Sequence, residues 1–408
     1  MFTRSRSIRP LRPLALVAVL SACLALPAFA SAASYSMHWG RSVALLNPND
    51  GGGLDSVGCA PSAAGSKSLL CVAGDVRGEV FASLHPAQAS SQWHRERLEL
   101  RNSITGVSCP STTLCVAVDS AGEVMHSSNP VGGAHDWSHP ARVNSTLQAG
   151  GGYAGFAAVS CPTTTFCIAV GNGATNQVAT TTDPTGPASA WTLATIGSGV
   201  LLDSVSCQSA TLCLLGGSQA YYSADPTGGA SAWKAIAALS SGDSVIQSMV
   251  CNSIKLCLGV GYGNAGVGLA VGSSAPTSTV WSQAPIGSDP PATGAGLVDS
   301  VACPYRNFCV AVDGASNYYA SSTPVRGHWS VAKRLKPNSQ STVSQVACNP
   351  GFCLEVDNRG TVTYGVVKTA TTTSTTKTTT TPTSTTTTPT KTTTSTKTTT
   401  TASTTKTG

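Results

Sequence analysis

The chain has 408 residues, of which 41% are hydrophobic, 10% charged and 6% aromatic, with a formal net charge of +6 at pH 7. Four arginines lie in the first thirty residues and five lysines lie from Lys368 onward, so the segment between them has a formal charge of −3. Nucleic-acid binding requires a basic face that neutralises phosphates, so this charge distribution argues against a nucleic-acid partner.

The N-terminal segment has the three parts of a secretory signal peptide. Arginines at positions 4, 6, 9 and 12 precede an apolar run from Leu14 to Leu26, and the small-residue site Ala28-Phe29-Ala30 follows. We therefore predict a signal peptide over residues 1–30 and a secreted, extracellular protein. Leu20-Ser21-Ala22-Cys23 also fits the lipobox of bacterial lipoproteins, so lipid anchoring at Cys23 is the alternative. No other stretch approaches the roughly 20 apolar residues of a membrane span, so we expect no transmembrane segment.

The rest of the chain up to Lys368 is a sevenfold repeat. Fourteen of the fifteen cysteines form seven close pairs, and the seven tryptophans fall one to a repeat. The first cysteines of successive pairs are 44 to 52 residues apart. A period of this length, with short β-branched runs, is typical of propeller blades rather than helical solenoids.

Each cysteine pair is predicted to form one disulfide across a hairpin. Five residues separate the two cysteines in five units, eleven in the first and four in the last, which suits a cross-strand bond. Structural zinc is the alternative, but its paired ligands lie closer together and need a second pair nearby. The predicted pairs are Cys59 and Cys71, Cys109 and Cys115, Cys161 and Cys167, Cys207 and Cys213, Cys251 and Cys257, Cys303 and Cys309, and Cys348 and Cys353.

Each unit reads as four short strands, called A to D. In the second unit, strands A and B surround the cysteines, strand C follows the turn from Asp119 to Gly122, and strand D begins at Trp137. The last unit has no tryptophan strand, whereas Trp39 to Leu45 precedes the first cysteine pair without a blade of its own. We therefore predict an all-β, seven-bladed β-propeller of four-stranded antiparallel blades, closed by the N-terminal strand.

The turns between strands C and D carry a recurring motif. Ser223 to Gly228 reads Ser-Ala-Asp-Pro-Thr-Gly before Trp233, and Thr181 to Gly186 reads Thr-Thr-Asp-Pro-Thr-Gly before Trp191. These turns resemble the Asp-box of sialidase-like and photosystem II assembly factor-like propellers, and the repeat layout resembles secreted, cysteine-paired propellers. The resemblance implies that the aspartate is a structural turn residue and that the tryptophan packs between blades. The intervals here are longer than in the Asp-box, and the motif departs from it at Asn129, His85-Pro86, Ala275-Pro276 and Thr323-Pro324.

The resemblance also suggests an enzyme as the alternative function. A sialidase-like glycosidase or lyase implies an arginine triad, a Tyr/Glu nucleophile pair and an acid. Neither the arginines nor the glutamates of the propeller fall at places that match such a site; the glutamates are Glu79, Glu96, Glu99, Glu123 and Glu355. Fold analogy alone supports catalysis, so we expect a protein without catalytic residues.

Loop carboxylates are the candidate binding residues. Four aspartates follow the second cysteine of their unit by four residues, namely Asp75, Asp119, Asp313 and Asp357. Three precede the first cysteine by four residues, namely Asp55, Asp203 and Asp299. On one face of a propeller these side chains would approach the channel mouth, where carboxylates suit calcium or a sugar. Glycine replaces the first set in other units, so turn chemistry is the competing explanation.

Other loop residues are weaker candidates. Tyr153 lies on a long connection between strands D and A, where it would serve as a sugar platform, as would Tyr262 and Tyr305. Ordinary surface residues are the alternative for all three. His126, His135 and His139 are close in sequence, although a strand and a turn need not bring them together to bind a metal.

We predict a signal peptide over residues 1–30, a propeller over residues 33–368 and a disordered Thr-rich tail over residues 369–408, suited to O-glycosylation or cell-wall association. The expected function is non-catalytic recognition of a glycan or protein by a monomer. No cofactor other than calcium is suggested. A structural wall component that acts through the tail is a further alternative.

Overall fold

The computed structural model describes residues 34–47, 49, 51–62, 65–66, 68–98, 102–146, 155–172, 176–197, 199–239, 244–253, 255–263, 266–278, 280–287, 297–336 and 341–370. These residues form seven four-stranded antiparallel sheets, whose first strands contact one another in sequence around a central channel. The chain is therefore a seven-bladed β-propeller, as the repeat count predicts. The predicted signal peptide, Tyr153 and the Thr-rich segment after residue 370 lie outside the described residues.

In each of the first six blades, consecutive strands run from the channel outward. Blade 1 comprises β2 (Leu54–Cys59), β3 (Cys71–Asp75), β4 (Glu79–Ser83) and β5 (His94–Arg97). Blade 2 comprises β6 (Ile104–Ser111), β7 (Leu114–Asp119), β8 (Glu123–Ser127) and β9 (Ala141–Arg142). Blade 3 comprises β10 (Gly155–Thr163), β11 (Phe166–Asn172), β12 (Gln177–Thr181) and β13 (Thr192–Thr195).

Blades 4 to 6 follow the same order, and blade 7 takes its outer strand from the N-terminal side of the described residues. Blade 4 comprises β14 (Leu202–Ser209), β15 (Leu212–Gly217), β16 (Tyr221–Ser223) and β17 (Lys234–Ala235). Blade 5 comprises β18 (Val245–Ser253), β19 (Leu256–Tyr262), β20 (Gly268–Ser273) and β21 (Ser282–Pro285). Blade 6 comprises β22 (Val298–Tyr305), β23 (Phe308–Asp313), β24 (Asn317–Ser321) and β25 (Lys333–Arg334). Blade 7 comprises β26 (Val343–Asn349), β27 (Phe352–Asp357), β28 (Thr361–Ala370) and β1 (Ser34–Ala44).

Short 3-10 turns are the helical elements of the described chain. They span Ser90–Gln92, Ala134–Asp136, Ala188–Ala190, Ala230–Ala232, Ala237–Leu239 and Pro324–Arg326. In the part of the chain that the structure describes, no helix has the length and apolar composition needed to span a membrane.

The fourth strand of blade 2 begins later than predicted. Trp137 makes only an isolated bridge to Ser127, and β9 starts at Ala141. Val143, which donates to Gly122, follows Trp137 by six residues, whereas the equivalent Leu98 follows Trp93 by five. The extra residue makes the pairing next to Trp137 irregular. In blade 1, by contrast, β5 starts at the residue after Trp93.

All seven predicted disulfides are present among the described residues. Each bond joins strand A to strand B of one blade, with Cα atoms 4.0 to 4.1 Å apart. Cys207 and Cys213, for example, lie directly opposite each other in the ladder. Each bond therefore staples the hairpin next to the channel, and closing so small a loop contributes on the order of 2 kcal/mol.

The apolar core is divided among the spaces between blades. In the described chain, seven buried clusters each combine residues of two adjacent blades. Trp137 of blade 2, for example, packs with Val72 and Val80 of blade 1. The indole N–H of each of the seven tryptophans is buried without a hydrogen-bond partner in the described residues, so these side chains stabilise the ring by packing.

Polar side chains of strand A connect each blade to the next. Ser108 Oγ accepts from the Cys161 amide at 2.9 Å, and blades 3 and 4 repeat this contact with the following blade. In blades 5 and 6 the residue before the cysteine is apolar, and a serine two positions earlier takes over; Ser300 Oγ accepts from the Val346 amide at 3.1 Å. Gln345 Oε1 completes the ring by accepting from the Val57 amide at 2.6 Å.

The N-terminal strand closes the ring as predicted. β1 pairs antiparallel with β28 from Ser34 opposite Ala370 to Ala44 opposite Thr361. The pairing extends beyond the predicted strand of Trp39 to Leu45 because the two strands continue together past the cysteine hairpin. Closure covers the cluster between blades 6 and 7, which contains Met37.

Blade 7 contains a buried charged cluster, and one of its members, Glu355, stands where the other blades have a small or apolar residue. Glu355 on β27 is fully buried, and its carboxylate lies 3.3 Å from Lys336 Nζ of blade 6. Lys336 Nζ also donates to Asp357 at 2.6 Å. Burial raises the pKa of Glu355 to about 7, against the opposing effect of Lys336. The corresponding residue of blade 2 is Ala117.

We predict that Gln345→Ala lowers the free energy of unfolding by about 1–3 kcal/mol, because the Val57 amide loses its acceptor at the closing interface. Urea unfolding would measure the change. Gln247→Ala is the matched control, since Gln247 Oε1 accepts no hydrogen bond from the described residues. We expect that control to change stability by less than about 0.5 kcal/mol. Equal losses in both variants would contradict the assigned role of Gln345.

We predict that Glu355→Gln stabilises the protein more at pH 8 than at pH 5. The pKa of Glu355 is higher in the folded chain than its ordinary value of 4.5, so the group's contribution to stability is present below pH 4.5 and is lost as the pH rises through about 7. Lys336 keeps Asp357 as a partner in the variant. Chemical denaturation of both proteins across this range tests the prediction, and a pH-independent difference would refute it.

Candidate functional site

The turns between strands B and C lie on one face of the propeller, here called the aspartate face. In four blades the aspartate that ends strand B uses Oδ1 to accept from the amides two and four residues later. In blade 2, Asp119 accepts from Ala121 at 3.0 Å and from Glu123 at 2.7 Å. Asp75, Asp313 and Asp357 make the same contacts. All four side chains are buried, so these aspartates hold the turns.

Three of these four aspartates also have a partner for Oδ2. Asp119 accepts from Asn102 at 3.1 Å, and Asp313 accepts from the buried Tyr319 hydroxyl at 2.7 Å. Asp357 accepts from Lys336. Asp75 Oδ2 is buried without a partner in the described chain, and burial raises the pKa of this carboxyl. Little accepting capacity is left for a ligand.

The first strands bring another seven side chains together at the mouth of the channel. These side chains are four residues before the first cysteine of each blade, and we call them the channel ring. The ring comprises Asp55, Thr105, Ala157, Asp203, Gln247, Asp299 and Ser344. They line a cavity of about 300 Å³. Six of the seven are polar, so the propeller presents a hydrogen-bonding ring to solvent.

The three aspartates of the channel ring differ in their surroundings. Ser103 Oγ donates to Asp55 at 2.6 Å, which fixes that carboxylate. Asp203 and Asp299 make no side-chain hydrogen bond or ion pair with any residue that the structure describes. Burial raises the pKa of Asp203, and burial together with the nearby charge of Asp313 raises the pKa of Asp299 to about 7. Both carboxyls are therefore poorly solvated and lack a counter-ion.

The channel ring places Gln247 between these two aspartates. Asp203, Gln247 and Asp299 belong to the consecutive blades 4, 5 and 6. Gln247 Oε1 is a buried acceptor without a partner in the described residues. The three side chains together form an arc of oxygen acceptors, which favours a cationic or hydrogen-donating ligand group over an anion.

The described residues contain no assembled metal-binding site. No group of three or more histidine, cysteine, aspartate or glutamate side chains there is arranged to hold a metal ion. His126 lies on β8, where burial lowers its pKa, while His135 and His139 line a separate cavity of about 160 Å³. The aspartates predicted as calcium ligands thus form two groups, those that hold turns and those that belong to the channel ring.

The turns on the opposite face, here called the disulfide face, are capped by hydroxyl groups, not by the carboxylates that the resemblance to the Asp-box implies. Ser223 Oγ accepts from the Asp225 amide at 3.1 Å, and Thr181 Oγ1 accepts from the Asp183 amide at 3.0 Å. The same contact is made in blades 1, 2, 5 and 6. The carboxylates of Asp183 and Asp225 are exposed and accept from neighbouring threonine hydroxyls.

Three of the glutamates considered for catalysis are engaged in ion pairs. Glu79 lies 2.6 Å from an Arg95 nitrogen, and Glu123 lies 2.7 Å from an Arg142 nitrogen. Glu355 contacts Lys336. These pairs join neighbouring strands or blades, and none of the three glutamates lines the channel mouth.

No protein-family model matches the chain, and no curated protein does either. Several solved propellers are similar in structure. YCF48 bound to a D1 peptide is 12% identical, with a TM-score of 0.57 over 80% of this chain and 95% of that chain. YCF48 from Cyanidioschyzon merolae is 11% identical, with a TM-score of 0.57 over 80% and 98% of the two chains. The WD40 propeller domain of Doa1 is 9% identical, with a TM-score of 0.55 over 81% and 97%. At these identities the comparisons establish the propeller fold.

Proposed function

We propose that this chain is a non-catalytic recognition propeller that binds a protein partner over the channel mouth. The observation that carries the proposal is the pair of unpartnered carboxyls, Asp203 and Asp299, on a face whose other described aspartates are occupied by hydrogen bonds. A carboxyl group that makes no hydrogen bond or ion pair within the fold, and whose charged form is disfavoured by burial, is typical of a binding site.

The partner's contribution is a lysine or arginine side chain on an exposed segment. Such a cation would supply the counter-ion that Asp203 and Asp299 lack, and it would donate hydrogen bonds to Gln247. A channel mouth of about 300 Å³ admits one long side chain while the rest of the segment lies across the aspartate face. One of the similar propellers was solved with a peptide bound, which supports polypeptide recognition by this fold.

The proposal also includes an extracellular location for the propeller. Seven disulfides within the described chain favour an extracellular location, where oxidised cysteines persist. Secretion by the signal peptide, and a Thr-rich tail that spaces the propeller from the cell surface, complete the proposed arrangement.

Binding of randomised peptides to the full chain tests the proposal. We predict enrichment of lysine- or arginine-containing peptides, and a loss of about tenfold or more in affinity for Asp203→Asn/Asp299→Asn, because two charge-assisted contacts disappear. Asp183→Asn/Asp225→Asn removes the same charge on the disulfide face and is the matched control. Enrichment without cationic residues, or equal losses in both double variants, would contradict the proposal.

The same preparation tests the enzyme alternative. A panel of 4-methylumbelliferyl glycosides would release its fluorophore if the chain were a glycosidase. We expect no turnover above the background of a heat-denatured sample. Turnover that tracks the folded protein would overturn the non-catalytic assignment.

Stability measurements separate the binding carboxylates from the turn carboxylates. We predict that Asp299→Ala raises the free energy of unfolding at pH 8 by an amount on the order of 1 kcal/mol, because the variant no longer confines a charge whose pKa is about 7. The gain should shrink at pH 5, where the carboxyl is neutral in the folded chain. Asp119→Ala should instead lower stability by about 1–3 kcal/mol, because two turn amides lose their acceptor. A destabilising Asp299→Ala at both pH values would argue for a structural role.

A further inference from the structure

A second cavity lies at the seam between blade 7 and blade 1, and we call it the seam cavity. It has a volume of about 530 Å³. Residues 40–43 of β1 and Tyr364 of β28 form one wall, and residues 87–90 of blade 1 form the other. This volume lies in the range of sites for small ligands, and the cavity is larger than the channel mouth.

The seam differs from the other interfaces because of how the ring closes. In the first six blades strands C and D are joined by a capped turn on the disulfide face. The corresponding strands of blade 7, β28 and β1, come from opposite ends of the described chain and have no such turn. They continue instead as a two-stranded ribbon to Ala370 and Ser34. The outer side of blade 7 is therefore built differently, and the seam cavity opens beside it.

A bulge in β1 places an arginine at this cavity. Trp39 pairs with Gly365 and Ser42 pairs with Thr363, so that Gly40 and Arg41 together stand opposite Tyr364 alone. Such bulges change the direction of side chains in a strand. Arg41 lines the seam cavity, is exposed and forms no side-chain hydrogen bond or ion pair with any described residue. None of the nine lining residues is acidic, so its charge is not neutralised locally.

The remaining lining combines an aromatic ring with neutral polar groups. The Tyr364 ring stacks on Phe352 with centroids 5.4 Å apart and planes inclined by 13°, which holds it in place. Burial raises the pKa of Tyr364, so its hydroxyl stays neutral at physiological pH. Gln88 contributes an amide and Ser90 a hydroxyl from the turn across the cavity.

We propose that the seam cavity binds a saccharide that carries a carboxylate. The Arg41 guanidinium matches the geometry of a carboxylate and can bind it through two hydrogen bonds. Tyr364 offers an apolar surface to a sugar ring, and Gln88 and Ser90 can exchange hydrogen bonds with its hydroxyl groups. An extended peptide fits less well, because the bulge interrupts the strand edge with which a peptide would pair. This site is independent of the channel mouth.

Titration of the full chain with monosaccharides tests the proposal. The probes are glucuronic and galacturonic acid, with glucose and galactose as their neutral counterparts and acetyl-Ala-Ala with a free carboxylate as a peptide arm. Saturation-transfer NMR would measure each Kd. We predict that the acidic sugars bind at least about tenfold more tightly than the neutral sugars, and that Arg41→Ala weakens their binding by about tenfold or more.

Arg359→Ala is the matched control, because Arg359 is an exposed arginine of blade 7 on the aspartate face. It should leave the acidic sugars bound. Arg41→Gln is a second variant, in case Arg41→Ala fails to fold, and thermal unfolding compares the stability of both variants with that of the unmodified protein. Arg41→Gln should show the same loss of affinity for the acidic sugars. Equal binding of acidic and neutral sugars, unchanged binding in both Arg41 variants, no binding of any sugar, or tighter binding of the peptide would each overturn the proposal.

Discussion

Packing of each blade against its two neighbours is the interaction on which the structure depends. A blade has no core of its own, since every apolar cluster in the described chain draws residues from two blades. An open array would leave two apolar sheet faces exposed to water, and closure by β1 and β28 removes both. Disulfides, buried tryptophans and the hydrogen bonds from strand A to the next blade all reinforce this same contact. The rigid ring then leaves the loops on its two faces free to vary.

Closure also makes blade 7 different from the other blades. Its outer strand comes from the N-terminal side of the chain, so it lacks the capped turn that joins strands C and D elsewhere. Its interface with blade 6 contains a charged cluster of Lys336, Glu355 and Asp357, in which Glu355 replaces the small or apolar residue of the other blades. The seam cavity lies on its other side, next to blade 1. Both departures from the repeat therefore occur in the blade where β1 and β28 pair.

The fold could be predicted because its signals are local and repeated. The spacing of each cysteine pair specifies a hairpin, and seven copies of one unit specify a ring. The candidate site was harder to predict, because aspartate occurs in this sequence both as a turn residue and as a residue of the channel ring. Asp119 follows a cysteine by four residues, and Asp203 precedes one by four residues. Asp119 nevertheless accepts hydrogen bonds from two turn amides, whereas the Asp203 side chain has no partner among the described residues. A glycine three residues after Asp119, with a φ of 81°, is a sequence signal for the turn role that spacing from cysteine alone does not use.

Other features depended on geometry that no spacing pattern contains. The hydrogen bonds between blades use the residue before the cysteine in some blades and a residue two positions earlier in others, so alignment on the cysteine hides their common role. Arg41 is an unremarkable surface residue in the sequence, and the bulge that places it at the seam cavity is visible only in the register of β1 against β28.

The central claim is that Asp203 and Asp299 receive a cation from a partner. The most direct measurement is the pKa of Asp299 in the free and peptide-bound protein, followed through its carboxyl carbon by NMR. The account predicts a pKa of about 7 in the free chain and a clear decrease when a lysine- or arginine-containing peptide is bound. A peptide that binds while leaving this pKa unchanged would contradict the account.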